Sequence, residues 1–236
     1  MRNNMYLALD FSTWKEAKTF IDVHQFQGIP VKVGMELFYR EGPQLIENLK
    51  QDNHDVFLDL KLHDIPTTVM KAMKNIANLK VDMVNVHALG GGEMIKRAKE
   101  GLNSGSSTHE TKLIAVTILT SMDDTTLNKE LNLGGSMKDN VVRLADTANK
   151  NGADGVVCSV QEAKEIKDVC GSSFLTVTPG IRLQDSNGND QKRIATPALA
   201  RKNDADFLVV GRTVTNALDP KSAYEKVQEE WRNGIK

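Results

Sequence analysis

The feature that most limits what this chain can fold into is an alternation. Eight short, β-rich apolar runs recur along it, at residues 5–9, 31–34, 56–61, 83–87, 113–119, 155–159, 174–178 and 207–211. Most are near-continuous Val, Ile, Leu and Ala, the composition of strands covered on both faces of a parallel sheet. Between them the apolar residues switch to helical spacing. Ser12 or Thr13 offers a cap ahead of Trp14, Ala17, Phe20 and Ile21. Gly42-Pro43 opens a helix with Leu45, Ile46 and Leu49 on one stripe, and Pro66 opens the next with Val69, Met73 and Ile76. The glycines 90–92 lead into a helix carrying Met94, Ile95 and Ala98. Residues 127–133 read as a short helix, and Asp139 as the cap of a longer one through Val142 and Ala148. Segments 161–169, 197–202 and 220–231 complete the set. No linker or change of composition interrupts the series, so 1–236 reads as one α/β domain, a (β/α)₈ TIM barrel, for which ~250 residues are typical. A doubly wound sheet of eight strands is the alternative that alternation leaves open.

Composition removes several classes of function. The net charge is −1 with acids and bases interspersed, which offers no basic face to nucleic acid. No apolar run approaches the ~20 residues of a membrane span. Strand pattern begins by Met5, so no secretory leader is expected and the location read from the chain is cytoplasmic. The two cysteines, Cys158 and Cys170, form no C-x-x-C pattern, and Cys158 sits inside an apolar run as a core residue.

In a barrel the C-terminal strand ends converge on one mouth, where active sites sit. That end would collect Asp10, Lys32, Asp59, Lys61, Asp64, His87, Thr120, Ser121, Pro179, Arg182, Gly211 and Arg212. Alternation along a strand aims Asp59 and Lys61 to the same side. Each charge could separately be a helix cap or a surface pair. Four of them, Asp10, Lys32, Asp59 and Lys61, from three adjacent strands on one face, instead mark a site. Barrels often bind phosphate after strands seven and eight, where Gly211 permits close approach and Arg212 offers a guanidinium fork. Arg182 and Gln191 flank the polar segment 181–192, which leaves from the same face and reads as a lid. Segment 103–108 reads as a flexible turn on the opposite, structural face. His87 reads as a packing and hydrogen-bonding group. The other histidines lack metal-ligand spacing, and no dinucleotide fingerprint follows any strand, so no cofactor is expected.

Several motifs together resemble the orotidine 5′-phosphate decarboxylase family, of the compact bacterial type, over essentially the whole chain. They are Leu9-Asp10, Lys32-Val33-Gly34, the D-x-K-x-x-D-I-P run from Asp59 to Pro66, Val86-His87-Ala88, Leu119-Thr120-Ser121, Thr178-Pro179-Gly180-Ile181-Arg182, Asp190-Gln191-Lys192-Arg193 and Val210-Gly211-Arg212. Thr67 stands where many members carry Asn, and Leu183 where Pro is frequent. The resemblance implies decarboxylation of orotidine 5′-monophosphate to uridine 5′-monophosphate without metal or organic cofactor. It assigns Lys61, Asp59, Asp64 and Lys32 to catalysis, with Asp64 reaching into the site of a neighbouring subunit of a homodimer. Lys32 and Asp10 would hold the ribose, with Ile65 and Thr68 joining the substrate-binding set, Thr68 from the partner. Thr120 and Ser121 would hold the pyrimidine edge, Pro179 would join the substrate-binding set, and Arg182, Gln191, Gly211 and Arg212 would take the phosphate. The nearest rivals are metal-dependent ketogulonate-phosphate decarboxylases and hexulose-phosphate synthases. These relatives carry a carboxylate on strand two where this chain has Lys32.

Overall fold

Strands that are apolar on both sides need cover on both sides, and a sheet closed on itself inside a ring of helices provides it. The structure, a computed structural model, describes residues 4–106, 109–183 and 193–234. Among these the strands are β1 (Met5–Ala8), β2 (Val31–Gly34), β3 (Val56–Leu62), β4 (Met83–His87), β5 (Lys112–Val116), β6 (Gly155–Val157), β7 (Leu175–Thr178) and β8 (Phe207–Val210). All pair in parallel in sequence order, and β8 closes on β1 with Met5 opposite Leu208 and Leu7 opposite Val210. The closure decides for the barrel over a doubly wound sheet. The helices are α1 (Trp14–Val23), α2 (Met35–Glu41), α3 (Pro43–Gln51), α4 (Pro66–Ala77), α5 (Gly91–Gly105), α6 (Met137–Lys150), α7 (Val160–Cys170), α8 (Pro197–Lys202), α9 (Arg212–Thr215) and α10 (Pro220–Asn233).

Strand alternation divides the apolar residues into two bodies. Tyr6, Ala8, Phe57, Met83, Ile114, Val177 and Val209 fill the barrel interior, with Tyr6 and Phe57 meeting edge to face at 5.8 Å. Their strand neighbours Leu7, Leu58, Val84, Ala115, Val156 and Leu208 face outward against the helices. Cys158 belongs to that outer core, as expected. Burial pushes its thiol well up, and the charge of Glu162 adds to the effect.

Local expectations hold in most places and fail in a few. Thr13 caps α1 in a reciprocal box with Glu16. Ser136, not Asp139, caps α6, because Ser lies one residue before the helix and accepts the Asp139 N–H at 3.1 Å. Residues 103–105, expected in a flexible turn, are the last turn of α5. Small residues allow this: a Cβ on Gly101 would lie 2.2 Å from the Met70 carbonyl oxygen, so α5 lies directly against the backbone of α4. Ser107 and Thr108 lie outside the described residues. The sequence shows no separate signal for α2, which starts straight from β2. Gly34 is both the last strand residue and the helix N-cap, and Gly42 at φ +70° divides α2 from α3.

At the N-terminal end of the barrel one arrangement repeats. Asp82, Asp154 and Asp206 each stand just before an even-numbered strand. Each uses a single oxygen to accept an N–H from the first or second residue of the preceding odd strand, from Val56 at 2.8 Å, Leu113 at 2.7 Å and Thr176 at 2.8 Å. The same oxygen takes a lysine from the helix before that strand: Lys50 of α3 at 2.7 Å, Lys99 of α5 at 2.6 Å and Lys167 of α7 at 2.6 Å. Backbone donors that the sheet leaves over at this rim are thereby satisfied by side chains.

Candidate active site

At the other rim, the site grows out of an irregularity in β3. Leu58 faces Val84 and Leu62 faces Val86, so four steps along β3 match two along β4. Lys61 absorbs the excess with a left-handed backbone, φ +51°, a costly conformation for a residue with a side chain. Its N–H finds no carbonyl in the ladder and donates instead to Asn85 Oδ1 at 2.7 Å. Asn85, fully buried on β4, in turn donates through Nδ2 to Asp59 Oδ1 at 2.6 Å. One amide side chain thus fixes both the strained backbone and the carboxylate beside it.

The charges that follow are strung in alternating sign. Lys61 Nζ lies 2.7 Å from Asp59 Oδ1, Asp59 Oδ2 lies 3.3 Å from Lys32 Nζ, and Lys32 Nζ lies 3.2 Å from Asp10 Oδ1. The inner members are well covered, with side-chain exposures of 11 % for Lys32 and 13 % for Asp59, against 60 % for Asp10. Burial by itself favours the neutral form of each inner group. For Asp59 the ammoniums of Lys32 and Lys61, with the bonds from Lys61 and Asn85, outweigh burial and hold the carboxyl below its ordinary value. For Lys32 burial again opposes the charge, and the carboxylates of Asp59 and Asp10 overcome it and raise the ammonium. The opposite shifts keep both groups ionised, so the mouth carries fixed charge.

The string borders a cavity of about 290 Å³. Ala8, Phe57, Val116, Val157 and Val209 give it an apolar floor. Thr120 and Ser121 stand on one side, and Pro179, Gly180, Arg182, Gly211 and Arg212 on another. Gly180, at φ +79°, makes the turn after β7 that brings Ile181 into a parallel bridge with Ala195. Arg182 is almost fully buried and donates to the Ile181 carbonyl at 2.9 Å and to Thr213 Oγ1 at 3.3 Å. A cavity lined by fixed charges, two guanidiniums and an apolar base suits a small anionic ligand with a flat apolar part.

Comparison with known proteins gives the same picture. Residues 3–227 match the family described as Orotidine 5'-phosphate decarboxylase / HUMPS. The chain is 49% identical over 234 residues to the Orotidine 5'-phosphate decarboxylase of Geobacillus sp. (strain WCH70), covering 98% of each chain. It is 50% identical over 230 residues to the protein of that name from Listeria innocua, with 97% of this chain and 99% of the relative covered. The chain belongs to this family. A crystal structure of Orotidine 5'-phosphate decarboxylase from Lactobacillus acidophilus superposes with a TM-score of 0.87 at 42% identity, over 98% of this chain and 99% of that one.

In this member of the family, Asp10, Lys32, Asp59, Lys61, Thr120, Ser121, Pro179, Arg182, Gly211 and Arg212 all come together at the cavity. Asp64, Ile65 and Thr68 do not. They lie on an exposed edge from the end of β3 into α4, where Asp64 accepts the Ile65 N–H at 2.7 Å and Ile65 is 67 % exposed. Gln191, with most of the segment read as a lid, lies outside the described residues. Thr120 and Ser121 stand on a loop, because β5 ends at Val116 rather than Leu119. His87 stands outside the cavity lining, its ring stacked on His63 with centroids 5.6 Å apart. Burial lowers its pKa, and the charges of His63 and Lys61 push the same way.

Two contributors escape sequence reasoning. Asn85 had a visible signal: it is a polar residue at an inward position of an apolar strand, and such a residue needs a partner. Arg193 had only its place in the Asp190–Arg193 motif, and nothing there gave its role, because its contacts lie 31 and 75 residues away in the chain.

Proposed function

We propose that this chain is a cofactor-independent carboxy-lyase converting orotidine 5′-monophosphate to uridine 5′-monophosphate, a step of de novo pyrimidine synthesis. The observation that carries the proposal is the string Asp10–Lys32–Asp59–Lys61, ionised throughout its covered middle. Breaking the bond from C6 to the carboxylate leaves an electron pair in the ring plane, where no π-system takes it up. Fixed charge must then favour that anion over the starting carboxylate. The Lys61 ammonium is assigned both tasks at C6: it offsets the growing negative charge, then transfers a proton to the carbon as CO₂ departs. Asp59 stands beside the departing carboxylate, and its like charge disfavours the bound substrate relative to the transition state. Lys32 and Asp10 take the ribose hydroxyls. Thr120, Ser121 and Pro179 face the pyrimidine, and Arg182, Gly211 and Arg212, with Gln191, take the phosphate. Binding energy from that remote phosphate holds the base against the charges, and so appears in the rate.

The exposed edge of Asp64, Ile65 and Thr68 supports a second part of the reading. These side chains lie at the rim yet outside their own cavity, the arrangement expected if they serve the site of a partner in a cytoplasmic homodimer. The metal-dependent relatives are disfavoured by Lys32. Its ammonium, wedged between Asp10 and Asp59, would repel a divalent cation at the point where those enzymes need a carboxylate. The test is turnover of orotidine 5′-monophosphate, followed by its ultraviolet absorbance change with chelator present; absence of turnover ends the proposal. Mixing Lys61→Ala and Asp64→Ala chains under subunit exchange should restore a fraction of the activity. Confirmed mixed dimers with no activity would remove Asp64 from the partner's site.

A further inference from the structure

Beyond the string of charges, one buried ion pair near the cavity has no part in the chemistry. Arg193 Nη1 binds Glu162, and the two side chains are only 11 % and 5 % exposed. Glu162 is itself fixed, since its other oxygen takes the Ser159 N–H at 2.8 Å and the Ser159 hydroxyl in the capping box of α7. The second guanidinium nitrogen, Nη2, donates to the carbonyls of Ile118 at 3.0 Å and Leu119 at 3.2 Å.

Those carbonyls occupy a particular place. The last contacts of the β5 side with β6 come from Thr117, whose N–H and hydroxyl both reach the Val157 carbonyl, at 3.2 Å and 2.8 Å. Beyond Thr117 the sheet no longer dictates the backbone, yet residues 118–121 form one wall of the cavity. The Leu119 carbonyl also accepts the Met122 N–H at 3.0 Å, closing the turn that carries Thr120 and Ser121. A planar guanidinium with several fixed donors suits holding two consecutive carbonyls and a carboxylate at once, which a point-charge ammonium does less well.

We propose that Arg193, anchored by Glu162, is a positioning residue for the base end of the site: it sets where Thr120 and Ser121 meet the pyrimidine. The proposal rests on the assignment of that wall to the base. It separates the base end from the phosphate end, so two ligands differing only in the base distinguish it from a general staple. Uridine 5′-monophosphate and ribose 5-phosphate share the phosphate and sugar. Arg193→Met is expected to weaken uridine 5′-monophosphate by about 10-fold or more, within the range for misplaced binding groups. Ribose 5-phosphate binding should stay within about twofold of the parent. Arg193→Lys should recover part of the loss, and Glu162→Gln should show the same selectivity at smaller size. It keeps a hydrogen-bonding side chain at the cap and so also serves if Arg193→Met does not fold. Equal losses for both ligands, or a lowered melting temperature with unchanged nucleotide affinity, would overturn the positioning role while leaving the decarboxylase reading standing. If the parent protein neither turns over orotidine 5′-monophosphate nor binds its product, both fall together.

Discussion

The two rims of this barrel use the same pair of residue types to opposite ends. At the N-terminal rim each lysine meets one aspartate, and the aspartate oxygen also holds a backbone N–H near the start of a strand. At the C-terminal rim one aspartate is shared by two lysines. Its further partner is a side-chain amide rather than backbone. The first arrangement spends its charges on the fold, since these donors near the strand starts would otherwise go without a partner. The second leaves both ammoniums directed at a cavity, close together and under cover. Burying charge in this way is weak support for stability, because desolvation opposes the attraction. Its use is to present a field that is already set before substrate arrives. The left-handed backbone of Lys61 belongs to the same contrast: strain of about 1–3 kcal/mol is tolerated at the rim that does chemistry.

The contrast breaks most visibly at Lys61. Lys61→Ala should lower turnover by more than about 10⁴-fold, the upper end for proton transfer alone, because the same ammonium also stabilises the carbanion. Its melting temperature should move by less than about 4 °C, equivalent to roughly 1 kcal/mol in a chain of this size. Asp59 keeps Lys32 and Asn85 as partners in that variant. Substantial residual turnover would show that the charged rim is not the catalytic one.

The opposite rim should answer in the opposite way. Asp154→Ala strips the Leu113 N–H and Lys99 of their shared partner. A loss of about 1–3 kcal/mol is expected, the cost of an unsatisfied covered donor, read by denaturant titration. Steady-state constants per folded molecule should not change. A fall in kcat with no loss of stability would reverse the assignment of the two rims.

Acid tests a smaller effect. Asp59 is shifted down and Lys32 up. The Asp59 contribution is present above its ordinary value and is lost only as pH falls through the lowered one. The Lys32 contribution is present below its ordinary value and is lost as pH rises through the raised one. The string therefore adds no slope to stability near neutrality. His87 and His54 do, because burial is the chief cause that lowers each from 6.5. Between each folded value and 6.5 the unfolded chain binds more protons, so stability rises with pH there and levels off above. His87→Gln should reduce that acid-side slope, by at most about 1.4 kcal/mol per pH unit, the limit for one proton, and leave the share of His54. An unchanged slope by denaturant titration at several pH values would show that His87 titrates alike in both states.

Much of this was legible in the sequence because of periodicity and parity. Eight apolar runs separated by helical stripes point to a barrel, with a doubly wound sheet left open until β8 is seen to close on β1, and in a barrel the strand ends name the rim residues. The side shared by Asp59 and Lys61 was expected from a regular strand, and β3 is not regular. The expectation survives because the excess on β3 over β4 is two residues, an even number, so no side chain changes face. Other features left no such trace. The start of α2 is hidden because Gly34 serves strand and helix at once. Arg193 and Glu162 meet only through tertiary structure. The rim aspartates lie between these cases. Val81-Asp82-Met83, Ala153-Asp154-Gly155 and Ala205-Asp206-Phe207 repeat a small apolar residue, Asp and the start of a strand. The repeat is visible, but only the folded rim shows which N–H each carboxylate holds.

The finest division of the comparison lies within one aspartate. At Asp154 a single oxygen serves both a charge partner, Lys99, and a backbone donor, Leu113. Asp154→Asn removes the charge and keeps an oxygen for the N–H. If the backbone bond does most of the stabilising, this variant should lose less than about 1 kcal/mol, the usual ceiling for a pair still open to solvent. The two side chains are 22 % and 21 % exposed, so screening by water applies. The loss should shrink further at high salt, whereas that of Asp154→Ala should not. Equal losses in the two variants would assign the stability to the ion pair, and the N-terminal rim would then differ from the catalytic one in location but not in physics.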